Sequence, residues 1–100
     1  MKLQKINMDN KQLVQRAIDI LEPIEKEKWI VGTDGSADKF CAVLHLIRNK
    51  HESVYALNSL ALQKKGVLIT SVNDGEWLDK YPQSTPKARV MALLNDLLAS

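Results

Sequence analysis

The chain has 100 residues, 45% of them hydrophobic, with 14 basic and 12 acidic side chains and a formal charge of only +2. That size makes one domain over residues 1–100 with a modest core, and the balanced charge supplies no strong field for nucleic acid or an anionic membrane. No apolar run approaches the roughly 20 residues of a membrane helix. The lone cysteine, Cys41, fits a reducing compartment. Asp9, Asn10, Lys11 and Gln12 stand where a signal peptide needs its apolar segment, so the expected location is the cytoplasm.

Asp9 and Gln12 have capping-box spacing, and Met8 and Leu13 occupy the staple positions around them. A first helix is expected from here, with Leu13, Val14, Ala17, Ile18 and Leu21 as its inner stripe and an end near Glu22, before Pro23. Ile24 to Lys28 reads as a further helical turn that delivers Trp29, Ile30 and Val31 to the core. Gly32 to Gly35 is a turn signal, and Ser36 is a natural cap for a second helix over about Ala37 to Arg48. Ala37, Phe40, Cys41, Leu44 and Ile47 share one face of that helix, which reads as the central one, and Trp29 is expected to pack on it and on the terminal helix.

Asn49 and Glu52 again have capping-box spacing, which starts a third helix after a very short link and carries it through Val54, Leu57, Leu60 and Ala61 to a Gly66 stop. Val67 to Val72 is a short apolar run that period alone does not assign to strand or helix. Asn73-Asp74-Gly75 signals a turn, Glu76 to Ser84 a surface loop, and Thr85 with Pro86 opens a last helix faced by Val90, Leu93, Leu94, Leu97 and Leu98. The expected fold is therefore mostly α, a compact small domain of about four helices with at most a short two-stranded β ribbon. The alternative is α+β, with Trp29 to Val31 paired to Val67 to Val72.

The order Trp29, Gly32, Asp34, Gly35, Cys41-Ala42, Asn73-Asp74 and a terminal helix centred on Val90 resembles a family of small bacterial and phage proteins, a domain of unknown function. The likeness runs from about Leu13 to Leu98. This chain carries Val43-Leu44 where the family tends to have Gly-Ala, Val72 where a Trp usually precedes Asn-Asp, and a longer loop over Glu76 to Ser84. The resemblance implies a small helical fold and a bacterial or phage setting, with no activity or site residues attached.

Cys41 and His45 are four apart, the spacing that puts a thiol and an imidazole on one helix face, with Asp74 or Asn73 available to orient the histidine. That is the logic of a small hydrolase or transferase. The plainer reading makes Cys41 a buried hydrophobe on an apolar helix and gives Asn73-Asp74 the task of tying a loop to a helix end. A metal site would need Asp34, Asp38, His51 or Asp74 beside the same pair, but no paired Cys or His spacing announces one, so neither metal nor cofactor is expected. Asp34 and Asp74 sit in turns that favour Asp for local reasons, and Gly32 to Ser36 lacks the spacing of a phosphate loop.

The second and third helices suggest a helix-turn-helix in which Glu52, Tyr55, Asn58 and Ser59 face a groove. Its basic residues, Arg48 and Lys50 at one end and Lys64 and Lys65 at the other, do not cluster, which disfavours nucleic acid. What stands is a non-enzymatic module with a protein partner, for which Trp77, Leu78 and Tyr81 are the candidate binding residues because aromatic side chains anchor interfaces. The plainer reading of these three is that they cover the bottom of the core.

Overall fold

The computed structural model describes residues 8–31 and 40–100. Among these residues five α-helices follow in order: α1 (Asn10–Leu21), α2 (Ala42–Arg48), α3 (Val54–Lys65), α4 (Ile69–Asn73) and α5 (Pro86–Ala99), with a 3-10 turn at Lys26–Lys28. The fold is mostly α, as the periodicity predicts. Among the described residues there is no strand, only an isolated parallel bridge between Trp29 and Phe40. Val67 to Val72 therefore does not pair with Trp29 to Val31; its residues from Ile69 on belong to α4.

Both ends of α1 follow the chain's local chemistry. Asp9 accepts from the Gln12 amide at 2.8 Å, and Gln12 Oε1 accepts from Asp9 N at 2.9 Å, so two otherwise orphaned donors are satisfied. The expected stripe from Leu13 to Leu21 is buried, and Met8 packs against the core as a staple residue should. α5 opens on Thr85, whose hydroxyl accepts from Ala88 N, with Pro86 in the first turn. α1 and α5 make the most extensive contact in the fold, and the Lys87 ammonium adds a 2.6 Å bond to the Glu22 carbonyl.

α2 departs from its expected bounds. Phe40 is extended, its N–H bonded to the Lys28 carbonyl and its carbonyl accepting from Ile30 N, and Cys41 is the N-cap. The face that α2 buries is consequently Ala42, His45 and Leu46, while Ile47 is exposed. The turn Gly32 to Gly35, the Ser36 cap, Asp34 and Asp38 lie outside the described residues.

The α2–α3 link is also longer than the Asn49–Glu52 pair implies. Asn49 closes α2, its side-chain amide donating to the His45 carbonyl at 2.8 Å, and Lys50 takes a left-handed φ of 62°. Ser53, not Asn49, caps α3, accepting from Ala56 N. Glu52 instead reaches α1, where it pairs with Arg16 at 3.0 Å. Gly66 ends α3 at φ 71°, as expected of a helix-stopping glycine.

Trp29 is buried, 6% exposed, in the same core cluster as α1, α2 and α5, with its ring centroid 5.4 Å from that of His45. Among the described residues its indole N–H has no acceptor. Trp29→Ala should therefore lower the unfolding free energy by about 3–5 kcal/mol, whereas Trp29→Phe, which keeps an aromatic ring and drops an unbonded donor, should cost far less. Urea denaturation of the two variants against the parent checks this; equal losses would mean that the ring is not what the core uses.

Candidate functional site

The chemistry-bearing residues converge where α4 meets the start of α2. Asn73, the last residue of α4, is fully buried. Its Oδ1 accepts from Ala42 N at 3.1 Å, and its Nδ2 donates to the Ile30 carbonyl at 2.9 Å and to Asp74 Oδ1 at 3.0 Å. One side chain thus caps α2, holds the Trp29 segment and orients Asp74. The Asn73-Asp74 pair ties a segment to a helix end, as the plainer reading has it.

Arg89 of α5 completes this arrangement. Its guanidinium is buried, with Nε donating to the Val72 carbonyl at 3.0 Å, Nη2 to the Asn73 carbonyl at 2.8 Å and Nη1 to the Gln83 carbonyl at 3.0 Å. Nothing in the spacing of Arg89 marks it among 14 basic residues. Only its place on the inner face of α5, between Val90 and the N-terminal turn, hints that it is not a solvated cation.

Cys41 and His45 are both buried. Cys41 is the N-cap residue of α2, with no side-chain cap bond, and not a residue within the helix. His45 Nε2 lies 2.9 Å from the Lys28 carbonyl, which only accepts, so this nitrogen carries the proton. The ring stands against Trp29 and, edge-on, Phe40, both at 5.4 Å between centroids, and the Arg48 guanidinium covers the other aromatic ring at 4.7 Å. Burial holds the imidazole below its ordinary pKa of 6.5, with the Arg48 charge adding to the effect against the Lys28 and Phe40 carbonyls. Among the described residues no hydrogen bond joins the Cys41 thiol to His45, and Asp74 is engaged with Asn73.

His51 is likewise internal: Nε2 donates to the Leu13 carbonyl at 2.9 Å and Nδ1 accepts from Ser53 N at 3.1 Å, which links α1 to the start of α3. Among the described residues no three His, Cys, Asp or Glu side chains gather as a metal site would require.

The loop candidates separate. Tyr81 is buried, and its hydroxyl donates to Asp96 at 3.1 Å; burial first, then the carboxylate, pushes its pKa up to about 12. That makes it a core residue of the α5 side. Trp77 is half-buried and packs on the core, with the Lys80 ammonium 5.2 Å from its ring centre and bonded to the Lys65 carbonyl at 3.1 Å. Leu78 is 52% exposed.

A second surface is the outer side of α3. Tyr55 is 84% exposed, Leu62 54% and Leu68 40%, and with Val54, Asn58 and Ser59 they line an open cavity of about 360 Å³. Tyr55, Asn58 and Ser59 are residues that the helix-turn-helix reading places on one face, and they do share it. Leu62 and Leu68 join them there, exposed although leucine is ordinarily a core residue. No helix among the described residues is long and apolar enough to cross a membrane. Comparison with family models, curated proteins and solved structures gives no match.

Two outcomes follow from this geometry. Asn73→Ala strands the buried Ala42 N–H and the part-buried Ile30 carbonyl, and at about 1–3 kcal/mol for each unsatisfied group the loss in urea denaturation should reach about 2–6 kcal/mol. An unchanged midpoint would remove Asn73 from its structural place. For His45, the unfolded chain takes up a proton as pH falls through 6.5 while the folded ring resists it, so stability is present above that pH and declines below it. The decline between pH 7.5 and pH 5 should be shallower in His45→Gln than in the parent, and parallel curves would contradict the assignment.

Proposed function

We propose that this chain is a non-enzymatic, cytoplasmic protein-interaction module whose contact surface is the outer face of α3, in the bacterial or phage setting that the family resemblance implies. The observation that carries the reading is the uncharged strip of Tyr55, Leu62 and Leu68 around the 360 Å³ cavity. Interface centres are depleted in charge and enriched in tyrosine, and a contiguous apolar patch on a small domain marks a contact site. The strip occurs in a chain with 26% charged residues, so its neutrality is a local departure.

The placement of the reactive side chains supports the same reading. Cys41, His45 and Asn73 are buried, and His45 and Asn73 are bonded to backbone groups of other segments. Leu78 extends that neighbourhood, since Lys80 fastens its loop to the C-terminal end of α3. Tyr81, buried on Asp96, drops out of the contact surface. Nucleic acid fits the face less well: its lining residues carry no charge, and phosphate contacts supply most of non-specific affinity.

Photo-crosslinking tests the proposal. A photoreactive amino acid in place of Tyr55 should give discrete protein adducts in a bacterial lysate, reduced at least about tenfold by Leu62→Glu, while the same probe in place of Lys11 on α1 gives none of them. Equal labelling from both positions, or no adduct from position 55, would sink it.

A further inference from the structure

The part of the core that contains Cys41 is fastened differently from the rest. Lys28 to Ile30 and Phe40 run side by side, with Phe40 N bonded to the Lys28 carbonyl at 3.0 Å and Ile30 N to the Phe40 carbonyl at 3.2 Å, which ties the two stretches into one piece. With the adjoining Cys41 and Ala42 this piece buries three apolar residues, Trp29, Cys41 and Ala42, while α1, α3, α4 and α5 hold most of the others. One side chain supplies two of its polar anchors: Asn73 reaches Ala42 N and the Ile30 carbonyl across 31 and 43 residues of sequence. Cys41 offers α2 no side-chain cap, so the Ala42 N–H depends on Asn73 Oδ1.

Asn73 is itself held from behind by α5. Arg89 Nη2 takes the Asn73 carbonyl at 2.8 Å and Nε the Val72 carbonyl at 3.0 Å, and these bonds fix the last turn of a helix only five residues long. The long helices are fastened to one another by contacts that do not pass through α4. Arg16 pairs with Glu52 and His51 takes the Leu13 carbonyl between α1 and the start of α3, and Lys87 of α5 takes the Glu22 carbonyl at the end of α1.

We infer that Lys28 to Ile30 together with Phe40 to Ala42 opens as a local unit while α1, α3 and α5 stay packed, that this opening uncovers the Cys41 thiol, and that Arg89 sets its frequency through Asn73. The unit has two arrangements, bonded to Asn73 or free of it, and leaving also releases the Lys28 carbonyl from His45. Arg89 biases the choice at a distance, since its own bonds go to Val72, Asn73 and Gln83 and to neither stretch of the unit. A guanidinium fork that fixes the Asn73 backbone fixes where its side chain points, and a loosened backbone weakens both anchors at once. The inference is independent of the contact face on α3.

Cys41 is the one cysteine of the chain and is 5% exposed, so iodoacetamide labelling of the native protein, followed by mass against urea, reads the opening directly. In the parent the labelling rate should rise with urea at less than about half the slope of global unfolding seen by circular dichroism, because less surface is exposed. Arg89→Lys keeps the charge and loses the fork; it should label at least about tenfold faster without urea and retain the shallow slope. Asn73→Ala should do the same, and adding Arg89→Lys to it should change the rate by less than about twofold, since Arg89 acts through Asn73. Leu57→Ala, in the core face of α3, should lower the urea midpoint yet leave labelling without urea within about twofold of the parent. Parent labelling that follows the global slope overturns the inference, as does an Arg89→Lys chain that labels like the parent or a Leu57→Ala chain accelerated as much as Arg89→Lys. If Asn73→Ala does not fold, the parent and Arg89→Lys decide the matter by themselves.

Discussion

A five-residue helix cannot stand on its own hydrogen bonds, and the placement of α4 depends on side chains from elsewhere in the chain. Leu68 offers no side-chain cap, so the first donor, Ile69 N, goes to Asn58 of α3. At the other end the carbonyls of Val72 and Asn73 go to Arg89 of α5. Asn73 then passes the constraint on, because its own side chain serves Ala42 N and the Ile30 carbonyl. Four parts of the molecule are located by polar contacts around one short helix, and the apolar core of α1, α3 and α5 closes over them.

This arrangement also explains why the reactive residue types carry little surface chemistry. An imidazole whose Nε2–H meets a backbone carbonyl has one tautomer fixed, and His45 and His51 both do so, each across a long stretch of sequence. They act as rigid polar spacers between segments that lack strand pairing. On the surface, the residues that line the cavity on α3 carry no charge.

How far the chain discloses this depends on the range of each interaction. The box at Asp9 and Gln12, the Thr85-Pro86 start and the Gly66 stop are settled within a few residues, and the sequence reading places all three. Asn49 was read as a start signal because its spacing to Glu52 is right; the structure gives Asn49 to the end of α2 and Glu52 to Arg16, contacts that no local pattern encodes. Phe40 reads as helical from its spacing and is drawn into an extended bridge by Trp29, eleven residues earlier. The four-residue spacing of Cys41 and His45 was legible, but the cap position of the first and the Lys28 bond of the second were not. Arg89 gives no local signal, since two of the three carbonyls that hold its buried guanidinium lie 16 and 17 residues away.

Lys50 shows what the α2–α3 turn demands of the chain. A residue with a Cβ sits at φ 62°, a region that L side chains enter at a cost of roughly 1–2 kcal/mol, and it is flanked by Asn49 bonded to His45 and His51 bonded to Leu13. Both neighbours are anchored, so the backbone between them has no room to relax. In a set of related sequences this position would therefore drift in one direction: glycine and asparagine would enter freely and valine, isoleucine and threonine would be barred, although the residue is exposed. Variation at an exposed site would then report backbone geometry and not contact.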